Sequence, residues 1–147
     1  MVITDTTAKI IGHAHHVMKS LGKGQRESVY GKALGLAFSK NMIAHRTEIC
    51  APYFYLDEVI GYGRVDFILN DVIVELKAIK GPVTEAKDQI SRYIKSLNRI
   101  ENKNYNGLVV NFSQRTGKVE YLFIPAAPTL RPRPTRVVSR FFGNTKK

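Results

Sequence analysis

Tryptophan is absent from this 147-residue chain, methionine occurs three times and cysteine once. A single cysteine, Cys50, excludes an intramolecular disulfide and fits a reducing compartment such as cytoplasm or nucleus. Its surroundings read as a strand, so a small buried hydrophobe is expected there rather than a nucleophile. No hydrophobic run approaches the length of a membrane span. The first residues, Met1-Val2-Ile3-Thr4-Asp5, offer neither a basic region nor a continuous apolar one, so no secretory signal and no membrane partner is expected. Acids are scarce as well: 12 against 23 lysines and arginines, a formal charge of +11 that favours a polyanionic partner.

Proline is rare until the end. Pro125, Pro128, Pro132 and Pro134 follow one another closely, and from there on Arg131, Arg133, Arg136, Arg140, Lys146 and Lys147 occur without one acid. Repeated proline removes backbone donors and forbids helix, so 125–147 is expected to be an extended basic arm. It carries Phe141-Phe142 as an apolar anchor. The chain, 44% hydrophobic, has the size of one domain able to bury a core, and that domain is expected over residues 1–124.

Within that domain the run Arg64-Val65-Asp66-Phe67-Ile68-Leu69-Asn70-Asp71-Val72-Ile73-Val74-Glu75-Leu76-Lys77 is the most informative. Asn70-Asp71 suits a two-residue hairpin turn, which predicts that Leu69 pairs with Val72 and Asp66 with Glu75. Alternation then puts Val65, Phe67, Leu69, Val72, Val74 and Leu76 on an apolar face, with Arg64, Asp66, Ile68, Ile73, Glu75 and Lys77 on the other. Two directly opposed carboxylates repel unless a cation lies between them. Hard divalent ions take carboxylate oxygens, so Mg²⁺ or Mn²⁺ is the expected cofactor.

Hydrophobic spacing places the remaining elements. Ile10, Ala14, Val17 and Leu21 mark a helix from about Asp5, ended by Gly22 and Gly24. A second helix runs from about Gln25 to Asn41, with Glu27, Tyr30, Leu34 and Phe38 on one inward face. Strands are predicted over 46–56, 62–69 and 72–77. A helix over 83–99 follows, with Ala86, Ile90, Tyr93, Ile94 and Leu97 as its buried stripe, and then strands over 106–112 and 118–124. The order is that of an α/β (α+β) domain with a mixed sheet flanked by helices. His13, His15 and His16 lack the i, i+4 spacing of a zinc pair.

Asp66, then eight residues, then Glu75-Leu76-Lys77 resembles the D…(D/E)xK signature of the PD-(D/E)xK nuclease superfamily. Leu21-Gly22-Lys23-Gly24-Gln25-Arg26-Glu27-Ser28-Val29-Tyr30 is similar to the LGxGxxExxY segment of its GxxExxY branch, and Gln89-Ile90-Ser91-Arg92-Tyr93 to its QxxxY element. Two positions depart: Val65 stands where a proline is usual, and His16-Val17-Met18 replaces a Val-His pair.

The resemblance implies a restriction-endonuclease-like core and metal-dependent hydrolysis of phosphodiester bonds in DNA, of the repair or recombination kind. It implies Asp66, Glu75, the Leu76 carbonyl and Glu27 as metal ligands, Lys77 beside the attacked phosphate, and Gln89 and Tyr93 as supporting catalytic residues. Arg64 and the arm residues Arg131, Arg133, Arg136 and Arg140 are the expected nucleic-acid contacts. Blander readings stand beside these. Asp66 and Glu75 pair with Arg64 and Lys77 as surface ions, Glu27 is a first-turn acid favoured by the helix dipole, Tyr93 is core and Gln89 is exposed. The competing function is a non-enzymatic nuclease-fold scaffold in a larger assembly, a nucleoprotein particle or virion, joined through residues 125–147. A homodimer is compatible with either.

Overall fold

The structure is a computed structural model, and it describes residues 4–127. The expectations for Arg131, Arg133, Arg136, Arg140 and Phe141-Phe142 lie outside the described residues. Among those described, helices α1 (Asp5–Leu21) and α2 (Glu27–Lys40) precede strands β1 (Arg46–Tyr55), β2 (Glu58–Leu69) and β3 (Val72–Lys77). A 3₁₀ turn (Val83–Ala86) then leads into α3 (Lys87–Glu101), followed by β4 (Asn106–Phe112) and β5 (Val119–Ile124). The five strands form one sheet in chain order, antiparallel throughout except for the parallel β3–β4 pair, whose crossover is α3. This is the mixed α+β architecture that the sequence predicts.

Local chemistry explains the boundaries. Thr4 caps α1, its hydroxyl accepting from the Thr7 N–H at 3.1 Å, and Gly22 ends the helix at φ 69°, where an L side chain would be strained. At the β2–β3 turn Asn70 takes φ 49°, and Asp71 accepts from Asn106 with both its carbonyl (2.8 Å) and its carboxylate (3.0 Å), fixing the hairpin to the start of β4. The predicted register holds from Leu69↔Val72 to Phe67↔Val74.

Two apolar layers sandwich the sheet. On one side Ile10, Ala14 and Val17 of α1 and Tyr30, Leu34 and Phe38 of α2 pack on Phe67, Leu69, Val74 and Leu76. On the other, Ile90, Tyr93 and Leu97 of α3 pack on Ile68, Ile73 and Val109. Full burial of each such side chain stabilises by about 1.5–3 kcal/mol.

Four expectations need correction. Strand β2 starts at Glu58 rather than 62, because Leu56 and Asp57 both take positive φ and close a tight turn that carries the pairing out to Tyr55↔Glu58. Cys50 lies in a strand but is exposed, since β1 is the outermost strand of the sheet. Glu27 opens α2 on its exposed surface; the inward stripe begins three residues later at Tyr30. Val65 belongs to the α3 layer while Phe67 belongs to the other, so the alternation breaks at Asp66. Glu48, at φ 54°, lies across from Asp66 in a gap of the β1–β2 ladder, between Thr47↔Phe67 and Ile49↔Val65.

The chain beyond β3 is held at Ile79 by a buried amide and by the Gln114 N–H, which donates to the Ile79 carbonyl at 3.0 Å. Asn111 is fully buried, and its Oδ1 accepts from the Ile79 N–H (3.0 Å) while its Nδ2 donates to the Ile79 carbonyl (3.3 Å) and to Glu120 (3.2 Å). Asn111→Ala would strand the Ile79 N–H, while the Ile79 carbonyl keeps the Gln114 N–H at 3.0 Å, so urea denaturation should show a loss of about 1–3 kcal/mol.

Candidate metal centre

The centre forms where two strands part company. The β2–β3 ladder ends at Phe67↔Val74; beyond it β2 follows β1 and β3 follows β4. The expected Asp66–Glu75 main-chain pair therefore does not form. Instead an Asp66 carboxylate oxygen accepts from the Leu76 N–H at 2.7 Å, satisfying a donor that the lost ladder leaves free. The side chains still converge: one carboxylate oxygen each from Glu27, Asp66 and Glu75 lie within 4.8 Å of one another.

Glu27 comes from a different segment, and the residues around it explain how it is aimed. Tyr30 Oη donates to the Gly22 carbonyl at 2.6 Å and accepts from Gln114 Nε2 at 3.1 Å, while Gln114 Oε1 accepts from the Gly24 N–H at 2.7 Å. Gly24 stands at φ 100°, open only to glycine without strain, and the Tyr30 ring stacks on Phe112 at 4.5 Å. Gly22, Gly24 and Tyr30 thus pin the loop that delivers Glu27. Gln114 was not singled out in the sequence; an isolated glutamine after a buried strand carries no periodic signal. Asn111 had a faint one, a lone amide inside Leu108-Val109-Val110-Asn111-Phe112.

Electrostatics set this cluster apart from surface acids. Glu75 is only 4% exposed, and its Oε2 has no hydrogen-bond partner. Burial, then the Asp66 charge, pushes its carboxyl up to about 8, opposed by the Lys77 ammonium 4.0 Å from Oε1. Burial also raises Asp66, against the Leu76 N–H, Lys77 and Arg64, and raises Glu27, with the Asp66 charge acting in the same direction. An orphaned buried carboxylate oxygen beside two more acids suits a hard cation, which would restore the lost solvation and hold all three groups ionised. A surface ion-pair reading does not fit a buried Glu75.

The remaining predicted residues divide. Lys77 is beside the cluster, and Leu76 lines the same open cleft of about 400 Å³ as Glu27, Asp66 and Arg64. Gln89 Nε2 donates to Tyr93 Oη at 3.0 Å on the α3 side. Burial, with its hydrogen bond to Tyr53, pushes the Tyr93 phenol up to about 12 against the Gln89 donor, and the Glu75 charge adds to the rise, so Tyr93 stays neutral. Arg64 is exposed and loosely paired with Glu48 at 3.9 Å.

The buried acid makes stability depend on pH. In the folded metal-free protein Glu75 keeps its proton up to about pH 8, whereas in the unfolded chain it releases it near 4.5. The folded state therefore binds more protons between those values, and stability falls as pH rises through the window. Asp66 and Glu27 act in the same sense; Glu101, lowered by its hydrogen bond from Arg46, acts in the opposite sense and only on the acid side of the window. In EDTA the melting temperature should drop between about pH 5 and about pH 8, and Glu75→Gln should flatten that drop.

No curated protein matches this sequence. The crystal structure of SSO0001 shares the fold, with a TM-score of 0.51 at 16% identity over 81% of this chain and 57% of that one. This chain thus spans a little over half of that protein's length. The family model of the PD-(D/E)XK nuclease superfamily matches residues 4–122, which takes in both helices, the divergent hairpin, the three carboxylates and the α3 crossover, and the chain belongs to that superfamily.

Proposed function

We propose that this protein is a metal-dependent nuclease of the GxxExxY branch that hydrolyses phosphodiester bonds in DNA within a reducing, intracellular compartment. The observation that carries the reading is the meeting of Glu27, Asp66 and Glu75, with the buried Glu75 Oε2 unpartnered. Asp66, Glu75, the Leu76 carbonyl and Glu27 would hold Mg²⁺ or Mn²⁺. When bound, such an ion neutralises phosphate charge and lowers the pKa of water toward neutrality.

The chain's own groups do the rest. Lys77, with its side chain 23% exposed, is tethered beside Glu75, where its ammonium faces charge that develops on the phosphate. Tyr93, neutral and hydrogen-bonded by Gln89, lies near enough to feel the Glu75 charge and would support that side of the site. Arg64 offers a cation at the mouth for a neighbouring phosphate. The fit of this chemistry to DNA agrees with the superfamily and with the +11 charge. The segment 125–147 is read as a separate arm whose six cations add phosphate contacts. Among the described residues no helix is long and apolar enough to cross a membrane.

Asp66→Asn and Glu75→Gln should each abolish Mg²⁺-dependent cleavage of labelled DNA while binding persists; cleavage that survives EDTA or both substitutions would overturn the reading. Lys77→Met should lower turnover by about 10²-fold or more with Mg²⁺ affinity by titration calorimetry unchanged or tighter. Deleting 128–147 should leave turnover at saturation intact and flatten the log K against log salt slope, by about 5 if all six cations meet phosphates. An unchanged slope would instead favour the assembly role for the arm.

A further inference from the structure

Five of the eleven large hydrophobic side chains exposed among the described residues crowd into one hairpin: Tyr55, Leu56, Val59, Ile60 and Tyr62, the last 68% exposed. Strand pairing and alternation turn Tyr55, Ile60 and Tyr62 to one face, whereas Val59 faces the other side and Leu56 lines the α3-side cleft with Phe54 and Arg99. Exposed apolar side chains grouped on one face of an otherwise charged protein mark a contact surface. It is not a loose loop. The inner face of the hairpin is fastened to α3: Ser96 Oγ donates to the Pro52 carbonyl at 2.6 Å, and Tyr53 stacks on Tyr93. Arg99 lies 4.0 Å over the Phe54 ring and pairs with Asp57 at 3.1 Å. A Cβ at Gly63 would lie 2.3 Å from Tyr53 Oη and 2.4 Å from the Tyr93 ring, so that face is filled to the backbone. By alternation Tyr62 and Arg64 occupy the opposite, outer face of β2, and Arg64 lines the same cleft as Asp66.

That outer face runs directly into the metal centre. Tyr62 is four residues from Asp66, about 13 Å along the strand, with the exposed Arg64 between them. Its chemistry is specific. Residues 51–63 contain no lysine or arginine and two acids, Asp57 and Glu58. Phosphate is therefore not what the tip attracts, while Arg64, nearer the site, suits one. Tyrosine and branched aliphatic side chains can instead stack on base faces, which duplex pairing hides and unpaired bases present.

We propose that the outer face of the β1–β2 hairpin is a stacking platform for unpaired bases of the nucleic-acid strand held at the metal centre, with Tyr62 under a base and Arg64 against the intervening phosphate. This rests on the nuclease reading and deepens it: the substrate class is nucleic acid with a single-stranded or unstacked segment beside the scissile bond. The fixed inner face keeps the platform in place before binding, so little conformational entropy is lost on contact.

The test is fluorescence anisotropy in EDTA with a labelled single-stranded oligonucleotide and the blunt duplex of the same sequence. Tyr62→Ala should weaken single-strand binding by roughly 5- to 150-fold, the range for one stacked ring, with the salt slope unchanged. Tyr62→Phe should restore it, and duplex affinity should move little in either variant. Arg64→Ala should instead weaken both ligands and lower the salt slope by about 1. Single-strand affinity unaltered by Tyr62→Ala would overturn the platform. So would sedimentation showing a concentration-dependent dimer that Tyr62→Ala or Ile60→Ser dissolves, because the face would then belong to a protein contact. The nuclease reading fails separately: Tyr62-dependent binding with no Mg²⁺-dependent cleavage of either oligonucleotide sinks the nuclease and leaves the platform standing.

Discussion

Everything in this fold is arranged around an ionisable group in a place that disfavours its charge. Glu75 sits on the central strand β3, 4% exposed, with one carboxylate oxygen unpartnered and Asp66 near enough to repel it. A carboxylate so placed must keep a proton or find a cation. Lys77 is too distant at 4.0 Å, and too exposed, to neutralise three acids alone. A core built for stability would put an apolar residue at 75, between Val74 and Leu76.

The surrounding structure holds that cluster open rather than relieving it. Asp66 is tied back by the Leu76 N–H, which keeps its carboxylate from swinging to solvent. Glu27 is fixed at the N-terminal end of α2 because Gly22 and Gly24 of the preceding loop and Tyr30 of the helix are locked through Gln114 to the end of β4. The same strand end anchors Ile79 through Asn111. Two segments that flank the acids in sequence are thus referenced to one rigid, fully buried strand, β4, which carries none of them. Geometry on the scale of a hydrogen bond is kept by elements that take no part in the chemistry.

Much of this was legible in the sequence, because the strongest signals there are local. The course of α1 follows from Ile10, Ala14 and Val17 and its end from Gly22, and the β2–β3 register follows from Asn70-Asp71 between two apolar runs. What escaped is long-range. Nothing local to Asp66 says that β2 abandons β3 after Phe67, since that depends on β1 and β4 competing for the same two strands. The break in alternation that sends Val65 to the α3 layer comes from the same competition. Gln114 acts across 90 residues to reach Gly24, a contact that no spacing rule encodes. Glu27 was placed on the right helix but on an inward stripe, because periodicity cannot tell the first turn, still at the surface, from the turns that follow it.

The parting of β2 from β3 links the site to the hairpin beyond it. A continuous ladder would have closed the gap between Asp66 and Glu75 with main-chain hydrogen bonds, leaving the two carboxylates on a flat, covered surface. Once β2 turns to follow β1, it carries Asp66 off the sheet plane and continues for eight residues to Glu58 with only β1 for a neighbour. An isolated two-stranded ribbon is marginal in water, and this one persists because α3 grips its inner face through Tyr53, Pro52 and Phe54. Its outer face, with Ile60, Tyr62 and Arg64, is then held in place and leads to the acids. On the nuclease reading, the distortion that makes a cation favourable at Glu75 therefore also sets the direction from which a strand of substrate would reach it.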